Sequence, residues 1–237
     1  MTDDSIDVKL PCFCPICGWQ GHLWGPVLAG PFMWVRKECP RCGSYPRDRI
    51  AYALLIHDVR RRIGNRMAVV EIGASPKSYW WKRRSFSYWN SDVGHELSDT
   101  VDFRIKNGIV RGAPGDADVA LLSYVLSMVT EKRERVSLLR ELYRLTKTSG
   151  RLILFDDVVQ QSMKHVRTKH DAYFHRIRLG LALLDELADA QWIPVVIASG
   201  QPGYVAMDLE LPFILAAKQD STYGLKRWVT DGLKELA

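Results

Sequence analysis

All five cysteines of the 237-residue chain lie within its first 42 residues, and four of them have the spacing of metal ligands. They form two nearly identical pentapeptides, CPICG at 14–18 and CPRCG at 39–43, with 21 residues between the inner cysteines. In each, proline sets a tight turn, the two-residue gap puts both thiolates on one side, and glycine lets the chain bend back toward sulfur. Four thiolates complete a tetrahedral site with no open position. We therefore predict a structural zinc ion bound by Cys14, Cys17, Cys39 and Cys42.

The segment between the two pairs, 19–38, contains Gly-Pro twice among apolar residues, which predicts strands joined by turns. The first 46 residues are therefore expected to form a zinc ribbon. A reduced redox pair or unbound thiols are the alternative interpretation. Cys12 is left over, either as a spare thiol or as a substitute for Cys14, and His22 is expected to be an ordinary polar side chain.

A second chemical signal lies farther along the chain. The apolar run Met67–Ile72 ends at Gly73, which is typical of a buried parallel strand that enters a turn. Asp92 follows 19 residues after Gly73 and ends the next predicted strand. A turn of small residues lets the backbone approach a ligand, and an acidic residue about 20 positions later can accept hydrogen bonds from ribose hydroxyls. The pattern favours a ligand that contains ribose.

Strands and helices must alternate to bring these turns to one edge. Helical spacing predicts helices at 47–65, Glu131–Leu145 and Ala172–Ala190. Apolar runs predict strands between them. Besides 67–72, these runs are Tyr88–Asp92, Val101–Ile105, Val119–Tyr124, Leu152–Phe155, Val195–Ala198 and Phe213–Ala217. The alternation predicts an α/β fold with a doubly wound sheet, whose ligand site lies at the carboxyl ends of the strands where strand order reverses.

Five segments match one known family in order and spacing. They are CGSYPRDR (42–49), EIG (71–73), Asp92, DVALLSYVL (118–126) and ELYRLTKTSGRLIL (141–154). With them the chain resembles the class I S-adenosylmethionine (SAM)-dependent methyltransferases in which a CPxCG…CPxCGSxxRxR zinc ribbon precedes the catalytic domain. The resemblance implies a ribbon at 1–46, a linking helix at 47–65 and a Rossmann-like methyltransferase domain at 66–237.

The resemblance also implies SAM as the cofactor and a set of residues around it. Those expected at the cofactor are Glu71, Gly73, Ala74, Ser75, Asp92, Val93, Asn107 and Ser123. The chain departs from the family pattern at four places. They are Ser75-Pro76 in place of Gly-x-Gly, Lys106-Asn107 where the family usually has an acidic residue near the adenine amino group, Ser127-Met128 in place of Glu-His, and Thr148-Ser149 in place of Pro-Gly. These departures leave open a module that binds a partner and has lost efficient catalysis.

Methyl transfer is an in-line displacement that needs a held acceptor and, for weak nucleophiles, a general base. The ends of the predicted strands offer Tyr124 and Asp156 at the ligand edge. The segment 163–175 contains three histidines and is expected to form a lid over that edge, where a histidine with a near-neutral pKa suits a base. We predict His170, Asp156 and Tyr124 as the catalytic residues.

The N-terminal part of the chain carries the net charge of +6. Residues 1–90 hold 14 Lys and Arg against 7 Asp and Glu, whereas residues 91–237 hold 19 against 20. The run YWWKRR (79–84) could bind RNA through phosphates and stacked bases, or it could be a solvated helix face whose aromatics belong to the core. Because the basic excess is modest and the larger part is near neutral, we expect a small-molecule acceptor, with RNA methylation as the alternative.

Composition excludes several classes of protein. Apolar residues make up 47% and charged residues 25% of the chain, which excludes a disordered or collagen-like protein. No apolar stretch approaches the roughly 20 residues needed to cross a bilayer, and nothing at the N-terminus resembles an export signal. We therefore expect a cytoplasmic protein. The apolar stripe at 223–236 is expected to pack against its own domain, and a homodimer contact is the alternative.

Overall fold

A six-stranded mixed sheet forms the centre of the protein in the computed structural model. The structure describes residues 12–21, 38–61, 66–74, 79–91, 104–106, 109–111, 113, 115–156, 164, 166–167, 177–179, 181–198 and 213–218. Among these residues, no helix is both long enough and apolar enough to span a bilayer.

Helices cover the sheet, and short hairpins accompany it. The described α-helices are α1 (Pro46–Arg61), α2 (Tyr79–Ser85), α3 (Lys132–Leu145) and α4 (Ala182–Asp189). The strands of the sheet are β3 (Ala68–Ile72), β4 (Ser87–Ser91), β7 (Ala117–Ser123), β8 (Thr146–Phe155), β11 (Ile193–Ala198) and β12 (Phe213–Ala217). The hairpins pair β1 (Cys12–Phe13) with β2 (Gln20–Gly21), β5 (Arg104–Lys106) with β6 (Ile109–Arg111), and β9 (Val166–Arg167) with β10 (Ile177–Arg178).

The strand order of the sheet is β4-β3-β7-β8-β12-β11. The first four strands are parallel, whereas β12 is antiparallel to both β8 and β11. From β3 the chain moves outward to β4 and then returns to the opposite side of β3 as β7, so strand order reverses between β3 and β7. The carboxyl ends of these two strands therefore frame the edge where a doubly wound fold binds its ligand. The α/β fold predicted from the sequence is confirmed.

Each face of the sheet packs against its own pair of helices. On one face, α3 and α4 contribute fully buried leucines, among them Leu139 and Leu187. On the other face, α1 and α2 contribute Leu54 and Trp81. Because β7 is covered on both faces, it is apolar along almost its whole length, as is typical of a central parallel strand. The ligand edge thus rests on a rigid, doubly covered sheet.

Three predicted elements differ from the structure, namely one helix and the strands β5 and β8. The helix predicted at Ala172–Ala190 is wrong in part, because Ile177–Arg178 forms a strand and the helix begins at Ala182. The strand predicted at Val101–Ile105 overlaps β5, which pairs with β6 in a hairpin outside the central sheet. Short apolar runs do not reveal their pairing partner, since periodicity carries only local information.

The strand β8 begins at Thr146, directly after α3, and not at Leu152. Its register against β7 jumps from the pair Ala117–Thr146 to the pair Val119–Arg151, so residues 147–150 form a bulge. This bulge contains Thr148-Ser149, the pair that stands in place of Pro-Gly in the family pattern.

Candidate cofactor and metal sites

The two cysteine pentapeptides fold into equivalent turns. Gly18 and Gly43 have φ angles of 71° and 69°, in the left-handed region that glycine adopts without strain. The N–H of each glycine donates to the carbonyl of the first cysteine in its own pair, at 2.9 Å to Cys14 and 2.8 Å to Cys39. Each turn therefore directs its two sulfurs to the same side.

The four sulfurs converge on one point. The Sγ atoms of Cys14 and Cys42 lie 3.7 Å apart and those of Cys17 and Cys39 lie 3.6 Å apart, and all four are within 4.8 Å of one another. A zinc ion with Zn–S bonds of about 2.3 Å places its ligand sulfurs about 3.8 Å apart in a tetrahedron. The cluster fits a zinc ion, and because it contains Cys14, Cys12 is not needed to complete it.

The acidities of the clustered thiols differ because they share hydrogen bonds. The hydrogen bond from Cys42 lowers the pKa of Cys14 and raises that of Cys42. Burial raises the pKa of Cys17 to about 11. Thiolates packed this closely repel one another, so a divalent cation is what allows all four to be deprotonated together.

The cysteine cluster is attached directly to the start of α1. Ser44 Oγ lies 3.5 Å from the sulfur of Cys14 and 3.2 Å from that of Cys42. The Ser44 carbonyl accepts a hydrogen bond from Arg49 at 2.8 Å, and the Asp48 carboxylate accepts one from the N–H of Tyr45 at 3.0 Å, as in a helix cap. The first turn of α1 is therefore fixed by the cysteine-bearing turn that precedes it.

A buried ionic cluster joins α1 to the central sheet. The Lys82 ammonium donates to the carboxylate of Glu71 at 2.6 and 2.8 Å and to that of Asp48 at 3.3 Å. The Tyr88 hydroxyl donates to the same Glu71 carboxylate. All three charged residues are at most 2% exposed. The carboxylate of Glu71, which was expected at the cofactor, lies in this cluster, where it holds β3 against α1 and α2. Its contact with a cofactor stays a prediction.

The turn after β3 makes a tight backbone cradle. Gly73 has a φ of 79°, and a Cβ added there would lie 2.1 Å from the carbonyl oxygen of Ser123 at the end of β7. Its N–H donates to the carbonyl of Ser91 at the end of β4, at 2.9 Å. The ends of β3, β4 and β7 therefore meet at Gly73, with the half-buried Ala74 next in the chain.

The polar groups at this edge suit a nucleoside cofactor. The buried hydroxyl oxygen of Ser91 has no hydrogen-bond partner among the described residues. Such an atom costs free energy unless a ligand or water satisfies it. The close approach of the strand ends at Gly73 lies next to an unsatisfied hydroxyl on the neighbouring strand. This arrangement fits the SAM that the family resemblance implies.

Two of the predicted catalytic residues follow neighbouring strands, Tyr124 after β7 and Asp156 after β8. Tyr124 follows β7 with a φ of 56°, and its N–H donates to the carbonyl of Phe155 at 2.7 Å. Asp156 is 1% exposed, and its carboxylate accepts hydrogen bonds from the N–H groups of Leu126 and Ser127 at 2.9 and 3.2 Å. The carboxylate of Asp156, which was predicted as a catalytic residue, holds the turn after Tyr124. Its catalytic role stays a prediction.

An arginine that the sequence did not mark as functional lies over Tyr124. The guanidinium carbon of Arg47 is 5.1 Å from the centroid of the Tyr124 ring and 5.6 Å from that of the Tyr45 ring. The signal available in the sequence was the segment CGSYPRDR (42–49), in which Arg47 is the first arginine of the family pattern. Proximity to Tyr124, which is 77 positions away, could not be found from it.

The basic run 79–84 lies on α2 and divides between core and solvent. Trp81 is buried with its ring edge-to-face against Tyr52 and Phe86, and Lys82 belongs to the ionic cluster. Arg83 and Arg84 are exposed. The interpretation of the run as a helix face with core aromatics is therefore confirmed for Trp81, and Lys82 is not on the surface.

Several predicted site residues lie outside the described residues. They are Ser75, Asp92, Val93, Asn107 and His170. Asp92 follows directly after Ser91, at the end of β4. These five positions remain sequence predictions.

No family model matches the chain, and no curated protein matches its sequence. Solved structures do share its fold. DesVI from Streptomyces venezuelae has a TM-score of 0.50 and 9% identity over 71% of this chain and 91% of its own. The 1,6-didemethyltoxoflavin-N1-methyltransferase of Burkholderia thailandensis, solved with S-adenosylhomocysteine, has a TM-score of 0.46 and 15% identity over 73% of this chain and 86% of its own.

The pyocyanin biosynthetic protein PhzM has a TM-score of 0.44 and 17% identity over 75% of this chain, which spans 59% of the length of PhzM. Other similar structures are described as SAM-dependent methyltransferases. At these identities the likeness is one of fold. The central sheet has the Rossmann-like arrangement of class I methyltransferases, and the roles of individual residues rest on the chain's own geometry.

Proposed function

We propose that this protein is a SAM-dependent methyltransferase that acts on a small-molecule acceptor. The observation that carries the proposal is the cradle at Gly73, where the ends of β3, β4 and β7 meet at the reversal of strand order. A side chain at this position would collide with the Ser123 carbonyl, so glycine allows the ends of β3 and β7 to meet at the edge where a doubly wound fold binds its ligand.

The residues around the cradle have separate tasks in the proposal. Asp92 would accept hydrogen bonds from the ribose hydroxyls of SAM, and the Ser91 hydroxyl would gain a partner. Ala74, Ser75, Val93 and Asn107 would complete the cofactor site. When bound, SAM supplies an electrophilic methyl group, which a nucleophilic atom of the acceptor displaces from sulfur.

The acceptor must be oriented and, if it is a hydroxyl or amine, must lose a proton. Tyr124 lies at the end of β7, where its strained backbone is held by the hydrogen bond to Phe155. We propose that Tyr124 orients the acceptor and that His170 accepts its proton. Asp156 acts through the turn at Leu126 and Ser127, which it holds in place.

The four clustered cysteines would hold a zinc ion with a structural role. Four sulfur ligands leave no coordination position for substrate, so the metal would not take part in methyl transfer. Its task would be to fix the turn that begins α1.

A small molecule is favoured over RNA by the side chains of α2. Lys82 and Trp81, which the RNA alternative needs at the surface, are both buried. What remains of the run for phosphates is Arg83 and Arg84.

Calorimetry with S-adenosylhomocysteine tests the proposal. The native protein should bind one equivalent, and Asp92→Ala should weaken binding by about ten- to a hundredfold, since a hydrogen bond to a charged group contributes about 1.5 to 3 kcal/mol. Asp185 is an exposed carboxylate on α4, and Asp185→Ala is the matched control. This variant should bind S-adenosylhomocysteine as tightly as the native protein. Absence of binding to the folded native protein would refute the proposed function, and unchanged affinity of Asp92→Ala would refute the role of Asp92.

A further inference from the structure

Arg47 is a cation that has no counter-ion among the described residues. Its guanidinium contacts the rings of Tyr45 and Tyr124, both within the distance at which an aromatic face attracts a cation. Its Nε atom is buried and has no hydrogen-bond partner. Within the part of the chain that the structure describes, the guanidinium makes no hydrogen bond or ion pair.

Three fully buried cations of the described residues donate hydrogen bonds to protein groups. Arg135 donates to both carboxylate oxygens of Glu186, Arg49 donates to the Ser44 carbonyl, and Lys82 donates to Glu71. An unsatisfied buried donor on a charged group is costly, and cation–π contacts alone do not use the N–H groups. Arg47 is therefore fixed in place with donors available for a ligand.

The position of Arg47 puts those donors at the ligand edge. Tyr124, on which the guanidinium rests, directly follows Ser123, whose carbonyl oxygen faces Gly73. Arg47 itself lies in the first turn of α1, which the metal-binding turn and Asp48 hold in place. The N-terminal module thereby delivers a cation to the end of β7.

We propose that Arg47 binds a carboxylate at this edge, through the two-pronged geometry by which a guanidinium recognises a planar anion. The carboxylate has two sources, the aminoacyl group of SAM or a carboxylate on the acceptor. The inference rests on the proposed function, because it places the ligand at Gly73. It adds that the linking helix α1, and not only the sheet, supplies a binding residue.

A pair of ligands that differ in the aminoacyl group tests the first source. S-adenosylhomocysteine carries the carboxylate, whereas 5′-methylthioadenosine has the same adenosyl thioether without it. Calorimetry on Arg47→Gln should show S-adenosylhomocysteine weakened by about ten- to a hundredfold and 5′-methylthioadenosine unchanged. Arg47→Lys keeps the charge but loses the planar guanidinium, so its affinity for S-adenosylhomocysteine should lie between those of Arg47→Gln and the native protein. Arg83 is an exposed arginine on α2, and Arg83→Gln should bind both ligands like the native protein.

Benzoate, a plain carboxylate probe, tests the second source. Titrated into the native protein with and without saturating S-adenosylhomocysteine, it should bind saturably when the acceptor supplies the carboxylate, and Arg47→Gln should abolish that binding. The proposal is overturned if Arg47→Gln leaves the affinities for S-adenosylhomocysteine and benzoate unchanged. Equal weakening of S-adenosylhomocysteine and 5′-methylthioadenosine also overturns it, because that result describes a structural defect. If the native protein binds neither adenosyl ligand, the proposed function fails, and the benzoate titration still decides whether Arg47 binds a carboxylate.

Discussion

Lys82 lies in the middle of a basic run, yet it is 1% exposed and holds two carboxylates. Replacing it with methionine removes the positive charge and leaves Glu71 and Asp48 buried without their partner. Breaking a buried pair in this way costs about 3 to 5 kcal/mol, because an uncompensated charge stays in the interior. We expect Lys82→Met to lower the free energy of unfolding by this amount, measured by urea denaturation.

The neighbouring Arg83 provides the control. It is exposed on the same helix, so Arg83→Met should change the free energy of unfolding by no more than about 0.5 kcal/mol. Equal effects of the two substitutions would contradict the buried cluster. The two residues are adjacent and both basic, so composition and charge cannot account for a difference between them.

Single residues were predictable where their chemistry is set by near neighbours. The cysteine spacing and the glycine after each pair specify a local turn, and the structure confirms both turns and the convergence of the sulfurs. The buried cluster was not predicted, because the partners of Glu71, which are Lys82 and Tyr88, are 11 and 17 positions away. The contact of Arg47 with Tyr124 was not predicted either, because the two residues are 77 positions apart. Such contacts depend on the assembled sheet, which spacing in the sequence does not specify.

Among the elements, the cysteine-bearing segments have the least structure of their own. Their described strands, β1 and β2, are two residues long each, and a unit of this size needs a metal or another staple to stay folded. Structural zinc contributes on the order of 10 kcal/mol in small modules, whereas the central sheet has its own buried core.

We therefore expect one zinc per chain, with metal removal unfolding the ribbon more than the sheet. Hydrogen exchange read by mass spectrometry should show loss of protection at 12–21 and 38–44 after chelation, and retained protection in β3 and β7. Cys39→Ser should lose the metal, whereas Cys12→Ser, the matched control, should keep it. Well under one zinc per chain in protein purified without chelator, or equal loss of zinc in the two variants, would contradict this assignment.

Elements of the central sheet were easier to predict than those at its margins. The segments that became β4, β7, β11 and β12 were expected within two residues of their observed bounds. The central strand β7 was predictable because a strand buried on both faces is a nearly continuous apolar run. The hairpin strand β10 was expected to be helical, since two residues offer no period to detect. The ligand edge is formed by the ends of β3, β4 and β7, which are among the strands that the sequence predicted.

At the scale of the whole molecule, the placement of charge bears on the proposal of a small-molecule acceptor and on its alternative, RNA. The basic excess of residues 1–90 overstates the field at the surface, because Arg49 and Lys82 are both fully internal. The exposed part of the run 79–84 that the structure describes is Arg83 and Arg84. Each phosphate neutralised on a single strand contributes about −0.7 to the slope of log K against log salt, so two arginines give a slope of about −1.4.

RNA affinity measured across a salt series tests this conclusion. We expect binding weaker than micromolar at about 0.15 M salt, because an enzyme that holds RNA specifically neutralises several phosphates. The double substitution Arg83→Gln/Arg84→Gln should then change the RNA affinity little. Lys82→Arg keeps the charge inside the protein and should leave the RNA affinity unchanged. Submicromolar binding at that salt, with a slope steeper than about −4 that collapses in the double variant, would mean that α2 is part of an RNA track. The small-molecule acceptor would then be wrong, while SAM binding at the Gly73 cradle would be untouched by the result.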